Sequence, residues 1–288
     1  MKNRWVRRFN KWKFALVARF FDTRYGRELL INTIGPRVVN LTVNCGDHLM
    51  TVSPHDYIGK KVFRKGNFER DHVDRLLSTL REKKLLSGES TLLEIGGNIG
   101  TQTIYFALSQ AFSRIISIEA DPRNFELLQH NISQNHLQAK ILPIQCAAGD
   151  VEGEIDFFQH QNNHGKSSTS RKSKHDHKIT VPVKPVDTIL SEANILPQEI
   201  GLIWMDIEGY EPVACNSMQT LLKRKVPLYM EFSPIFYGRE QSIAFTRYLG
   251  RFYEDCLIFR EDHVEAIKVS ALPLTEPQFD ILLLHAPI

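Results

Sequence analysis

From residue 91 onward, short apolar runs alternate with amphipathic stretches. This rhythm predicts βαβ units around a mostly parallel sheet, an α/β fold. "TLLEIG" predicts a buried strand. "IGTQTIYFALSQAF" predicts a helix with Ile104, Ala107, Leu108 and Ala111 on one face. "RIISIEA" is the next strand. "DPRNFELLQHNISQN" is the next helix, with Asp121 as its cap, Pro122 in its first turn, and Phe125, Leu128 and Ile132 facing inward. "AKILPIQCAAG" and "GEIDFFQ" continue as strands. After a polar interval, "VPVKPVDTIL" and the strand "GLIWMDIEG" lead into a helix near "YEPVA" that again has a first-turn proline, Pro212. "VPLYMEFSP" is a strand and "QSIAFTRYLGRF" a helix. "CLIFRE", "HVEAIKV" and "FDILLLHA" read as closing strands, partly antiparallel.

Residues 1–84 lack this rhythm and are predicted as an extension preceding a domain over 85–288. They hold strand-like pieces ("RVVNLTV", "KKVFRKG") and a helix around "HVDRLLSTLREKKLL". Residues 1–21 stand apart, with seven Lys/Arg and no acid. Trp5, Phe9, Trp12, Leu16 and Phe20 recur at spacings of four and three, which puts them on one helical face. Arg19 interrupts the apolar part and no small-residue cleavage site follows, against a secretory signal. Two readings stay open: a helix lying peripherally on an anionic membrane surface, or a terminal helix docked on its own domain. Residues 159–178, "QHQNNHGKSSTSRKSKHDHK", read as a long polar loop, a candidate lid. Their histidines (His160, His164, His175, His177) lack a carboxylate or cysteine spaced to complete a metal site.

Composition adds mainly exclusions. Hydrophobic residues at 42% and charged residues at 24% are ordinary for a globular chain, and a net charge of +3 argues against a nucleic-acid partner. Four scattered cysteines (Cys45, Cys146, Cys215, Cys256) point to reduced thiols in a cytoplasmic protein. No apolar run is long enough to span a bilayer.

The candidate chemistry sits at strand ends, where open α/β sheets bind ligands. In "LLEIGGNIGTQT", Gly96, Gly97 and Gly100 allow a sharp turn and close approach to a ligand, and the following helix aims its free N–H groups at the same place. Glu119 ends the next strand, nineteen residues beyond Gly100, where an acid grips ribose hydroxyls. The spacing is not G-x-G-x-x-G and the loop carries no Lys for phosphates. An adenosine bearing an amino-acid tail therefore fits better than a dinucleotide or triphosphate. In "WMDIEGYEP", Asp206, Glu208 and Glu211 crowd the end of another strand. Glu211 reads chiefly as a helix-start acid, while Asp206 is the candidate catalytic group.

Taken together, "LLEIGGNIGTQTIYFA", "ISIEADPRNFELLQHN", "CAAGD", "VDTIL" and "MDIEGYE" resemble the FkbM family of S-adenosylmethionine-dependent methyltransferases over roughly residues 55–235. The resemblance implies a Rossmann-like class I methyltransferase fold with a seven-stranded sheet. It implies O-methylation of a small-molecule or carbohydrate hydroxyl, on an acceptor that is lipid-linked if the first helix meets the inner membrane face. It further implies that Glu94, Gly96, Gly97, Asn98 and Gly100 hold the methionine end of S-adenosyl-L-methionine and Glu119 the ribose. Ala120 and Asp121 would flank ribose and adenine, and Asp150 would approach the adenine amine. "VSPHDYIGKKVFRKGNFE" resembles the family's upstream segment, which would place Tyr57 and Glu69 near the acceptor. Glu231, ending "LYME", is expected to shape the same site.

An acceptor hydroxyl needs a base, and Asp206 is the expected one, aided by Glu208. An ordinary carboxylate is too weak, so burial or the neighbouring acid must raise its pKa. A divalent cation on Asp206 and Glu208 is the alternative, with no metal assigned. His48, His55 and His72 are outside candidates for the base. A silent adenosine-ligand binding module and an NAD-linked oxidoreductase are the competing functions, the latter disfavoured by the glycine spacing.

Overall fold

The structure is a computed structural model and describes residues 2–170 and 173–285, with side chains from residue 11 onward. It divides into two compact units, Met1–Phe68 and Glu69–Ile288. The division falls before the helix around "HVDRLLSTLREKKLL" rather than after residue 84. That helix buries Val73, Leu76, Leu77 and Leu80 in a core of the second unit.

The first unit contains α1 (Lys2–Phe21), α2 (Arg24–Thr33), a two-stranded antiparallel ribbon of β1 (Leu41–Asn44) and β2 (Leu49–Val52), and α3 (Tyr57–Lys65). The strand-like reading of "KKVFRKG" is corrected here, because the segment is the body of α3. Asp56 caps that helix by accepting from the Ile58 and Gly59 amides, and Gly66 ends it in the left-handed conformation. Capping chemistry at both ends overrode the local β-like pattern.

The second unit runs α4 (Arg70–Glu82), β3 (Thr91–Ile95), α5 (Thr101–Leu108), β4 (Arg114–Glu119), α6 (Pro122–Gln134), β5 (Ile141–Gln145), β6 (Ala147–Ala148), β7 (Gly153–Gln159) and β8 (His177–Lys184). It continues with α7 (Val186–Glu192), β9 (Ile200–Met205), α8 (Glu211–Asn216), α9 (Gln219–Lys223), β10 (Leu228–Phe232), α10 (Pro234–Tyr237), α11 (Arg239–Leu249), β11 (Asp255–Phe259), β12 (Val264–Lys268) and β13 (Phe279–Leu284).

The main sheet has eight strands in the order β12-β11-β13-β10-β9-β3-β4-β5. The expected seven are joined by β12 at one edge. β10, β9, β3, β4 and β5 pair parallel, while β13 runs against both β10 and β11. A smaller sheet orders β6-β8-β7.

Side-chain alternation explains why the strands read as continuous apolar runs. Leu93, Ile95, Ile203 and Met205 enter the core on one face of the sheet, and Leu92, Leu202 and Trp204 the core on the other. With helices over both faces, β3 is buried at every position and β4, β9, β10 and β13 at all but one. The chain moves outward from β3 through β4 to β5 and then returns to place β9 on the other side of β3. That reversal opens a crevice beyond the ends of β3 and β9.

Candidate active site

The turn after β3 is built so tightly that only glycine fits. Gly96 sits at φ +94, and a Cβ there would lie 2.0 Å from the Asp206 carbonyl oxygen. A Cβ on Gly97 would meet the Ser117 hydroxyl at 2.1 Å. Amides of Gly96 and Gly97 both donate to the Ile118 carbonyl, at 2.8 and 2.9 Å, locking the turn to the end of β4. Asn98 holds a left-handed conformation (φ 48), and its buried Oδ1 has no hydrogen-bond partner.

Two acids support this turn. Glu94 lies beneath it, 1% exposed, with Oε2 accepting from the Thr103 and Ser117 hydroxyls at 2.5 Å each. Burial raises its pKa to about 7 against those two bonds. Glu119 accepts from the Asn98 amide through Oε2 and the Asp121 amide through Oε1, both at 2.7 Å. Burial, with a smaller push from Asp121, raises it to about 8. Asp121 caps α6 through the Arg123 amide, and its Oδ1 also takes Gln159 Nε2 at 2.7 Å.

Above the turn is a cleft of about 480 Å³, partly open to solvent, lined by Gly96, Ala120, Asp206 and Glu208 from the expected set. Ile118, Cys146, Phe157, Ile207 and Tyr210 give it apolar walls, and Gly165, Ser167, Ser168 and Thr169 close one side. The long polar loop thus reaches the cleft. It is tied down by the Phe158–Ser168 bridge and by Asn124 Nδ2 donating to the His164 carbonyl. Asp150 is exposed and stands outside the described lining, although its charge contributes to the raised pKa of Tyr210, which lines the cleft.

Asp206 also borders a second pocket, shared with Glu69, His72, Trp204, Met205, Tyr229, Glu231 and Asp280. Oxygens of Asp206, Glu208 and Glu231 all lie within 4.8 Å of one another, the one such group of potential metal ligands among the described residues. Those three could hold a divalent cation. Glu208 reaches the trio from a left-handed backbone (φ 55), a conformation rare outside glycine.

Crowding sets the protonation of these acids. Burial pushes Asp206 well above the usual carboxylate range, and Glu231, Glu208, Glu69 and Glu211 add like charge in that order. Burial brings Glu231 to about 8, with Glu208 and Asp280 adding, and Glu69 to about 7. Glu69 accepts from Gln102 Nε2 at 2.9 Å. His72 lies 3.4 Å from Asp280, and that bond raises its pKa against the effect of burial.

Glu211 plays a different part. Its carboxylate accepts from the Ile207 and Gly209 amides at 3.0–3.2 Å and from the Tyr237 hydroxyl at 2.8 Å. It holds the Asp206–Gly209 turn in place from inside.

Asp280, Tyr229 and Trp204 were not anticipated, while residues 165–169 belong to the loop expected as a candidate lid. Asp280 carried a signal: a single acid at the start of the apolar run "FDILLLHA". Because β13 is antiparallel, its first residues reach the edge where the parallel strands end, and Asp280 pairs in register with Glu231. Among the three histidine candidates, His72 lines the acid pocket. His48, paired with Asp47, and His55, bonded to the Val38 carbonyl, belong to the first unit, as does half-exposed Tyr57.

A model of the methyltransferase FkbM domain matches residues 94–267. The chain belongs to the FkbM methyltransferase family. It is accordingly an S-adenosylmethionine-dependent methyltransferase with a class I methyltransferase fold, and the NAD-linked reading is set aside. The chain is 28% identical over 178 residues to a 2-O-methyltransferase, NoeI, of Sinorhizobium fredii, a match covering 56% of this chain and 69% of that one. Among solved structures it is similar to an FkbM methyltransferase from Methylobacillus flagellatus (16% identity, TM-score 0.44, 79% of this chain and 53% of that one). It thus spans about half the length of that protein. It is also similar to an O-methyltransferase from Bacillus cereus in complex with SAH (11% identity, TM-score 0.41, 75% of this chain and 90% of that one).

The cleft suits the family's cofactor. Gly96 and Gly97, where a Cβ has no room, and apolar walls beside Ala120 offer close backbone and a slot for a flat ring, and the unpartnered Asn98 Oδ1 lies in the same turn.

Proposed function

We propose that this methyltransferase methylates a hydroxyl of a small-molecule or glycan acceptor, with Asp206 as the base. The observation that carries this reading is the position of Asp206, which lines both the cofactor cleft and the acid pocket. The name of the Sinorhizobium fredii relative, a 2-O-methyltransferase, supports an oxygen acceptor.

The acceptor enters the acid pocket, which adjoins a larger cavity through His72, Tyr229 and Asp280. That outer cavity is also lined by Arg75, Phe259 and Arg260. Polar and aromatic walls of this kind suit a polyhydroxylated ring. An anionic group is disfavoured in the inner pocket, since it would push the already raised pKa values of Glu69 and Glu231 still higher.

S-Adenosylmethionine, when bound, supplies a methyl group on a cationic sulfur. Gly96, Gly97 and Gly100 would bring backbone against its amino-acid end, the Asn98 side-chain carbonyl would accept from it, and Glu119 and Ala120 would hold its ribose. Asp206, its pKa raised by burial and by Glu231, takes the hydroxyl proton as oxygen attacks. Proton transfer to a positioned base contributes typically 10²–10⁴-fold in rate. Glu208 stands beside Asp206 and its like charge raises the Asp206 pKa further. Neutralisation of opposite charges during transfer suits a dry site, and alignment of the two pockets supplies much of the remaining rate.

No metal is assigned a role, and activity is expected to survive EDTA. Peripheral contact of residues 1–21 with the inner face of a membrane belongs to the same proposal, for a cytoplasmic enzyme acting on a lipid-borne acceptor.

The test is transfer of radiolabel from S-adenosylmethionine to a panel of methyl glycosides, oligosaccharides and lipid extracts. Label is expected in an alkali-stable ether on a sugar or polyol. Asp206→Asn should cut turnover by about 10²-fold or more while leaving SAH affinity within a few fold. Transfer to nitrogen or carbon, or full activity in that variant, would overturn the assignment. No transfer to any acceptor, with SAH bound normally, would favour the silent binding module.

A further inference from the structure

The chemistry at Asp206 leaves α1 without a role. Residues 1–21 carry seven Lys/Arg and no acid. α1 runs unbroken from Lys2 to Phe21, and every residue from 11 to 20 is exposed. Trp12, Leu16 and Phe20 follow one another at the four-residue spacing of a single helical face, and are 60%, 48% and 48% exposed. The spacing extends this stripe back through Phe9 and Trp5, whose side chains lie outside the described residues. Lys13 and Arg19 border this stripe on either side, and Val17 and Phe14, 50% and 74% exposed, follow beyond Lys13 around the helix. On α2, Tyr25 and Leu29 form a second exposed pair one turn apart, 81% and 52% exposed.

A solvated face would not carry so many large apolar side chains, and patches of this kind mark interaction surfaces. Three occupants can be weighed on charge. A second copy would set seven positive charges against seven more. A nucleic acid would satisfy the cations but leave Trp12, Phe14, Leu16 and Phe20 in water. A leaflet of anionic lipid answers both features, with phosphates for the cations and the headgroup–acyl boundary for the apolar stripe.

We infer that α1 is a peripheral membrane anchor that lies along an anionic bilayer surface, with Trp12, Leu16 and Phe20 inserted and Lys11, Lys13 and Arg19 on phosphates. No helix among the described residues is long and apolar enough to cross a membrane, so this contact is reversible and tuned by salt. The inference sharpens the membrane contact proposed above and stands apart from the chemistry, since its readout is partition and not turnover.

The experiment is flotation of the full chain with vesicles of phosphatidylcholine alone and of phosphatidylcholine mixed with phosphatidylglycerol, at low and high salt. The protein is expected to float with the mixed vesicles at low salt and to stay down with phosphatidylcholine alone. Lys11→Gln/Lys13→Gln/Arg19→Gln should weaken binding on the order of a hundredfold, since each basic residue near an anionic surface is worth about fivefold in affinity. Trp12→Ser/Leu16→Ser/Phe20→Ser should abolish insertion. Both variants alter exposed side chains and should bind SAH as the parent does, which reports an intact methyltransferase domain. The inference is overturned if the full chain ignores the mixed vesicles. It is equally overturned if a single-stranded oligonucleotide is bound instead, or if the apolar variant changes only a dimer seen by gel filtration and leaves flotation untouched.

Discussion

Glu231 shows how one side chain tunes another. It faces Asp206 from the next strand and, after burial, is the largest contributor to holding that carboxyl protonated. A base must be deprotonated to act, so turnover should rise with pH through the raised pKa of Asp206. Glu231→Gln removes the like charge, and the rising limb of kcat against pH should move to lower pH. A limb that stays in place would dissociate the limb from Asp206. The same variant has a stability signature. A carboxyl whose folded pKa exceeds its unfolded value favours the folded state when protonated, and loses that contribution as pH rises through the folded value. For Glu231 the window runs from the ordinary 4.5 to about 8. Glu231→Gln should therefore raise Tm more at pH 9 than at pH 5, as scanning calorimetry would read.

The glycine turn and the Asp206–Gly209 turn interlock, since the Gly96 backbone presses against the Asp206 carbonyl. Glu211 anchors the second turn by accepting from two backbone amides and from the Tyr237 hydroxyl. Glu211→Ala leaves the buried Tyr237 hydroxyl and two half-buried amides without partners, at about 1–3 kcal/mol for a fully buried group and less for the half-buried ones. It should lower unfolding free energy by roughly 2–4 kcal/mol in urea and weaken SAH binding, because the turn forms one wall of the cleft. Glu211→Gln should recover part of both. The elements were largely legible in the sequence, because Asp121 and Pro122 mark a helix start and because buried parallel strands read as unbroken apolar runs. The "KKVFRKG" segment misled, because the signals that make it helical lie outside it, at Asp56 and Gly66. The turn glycines and Asp206 were legible from their place at strand ends. Asp280 was not, since its proximity to Glu231 depends on strand direction, which local pattern does not record.

At the scale of the molecule, β13 follows β11 and β12 along the chain yet lies between β10 and β11 in the sheet. It supplies Asp280 to the acceptor side, and it contributes Ile281 and Leu283 to one core and Leu282 and Leu284 to the other. A strand that is made after both of its neighbours and belongs between them imposes an order on assembly. While the chain emerges from the ribosome, β10 presents an unpaired edge that nothing upstream covers, a template for pairing with other chains. The sheet closes only when residues 279–284 slot between their neighbours. A chain ending at residue 278 should therefore accumulate as aggregate rather than as a folded, inactive enzyme, which sedimentation of the expressed protein would distinguish. Supplying the missing strand as a separate peptide would then amount to completing the sheet from outside, and recovery of SAH binding on its addition would mark this seam as the final step of folding.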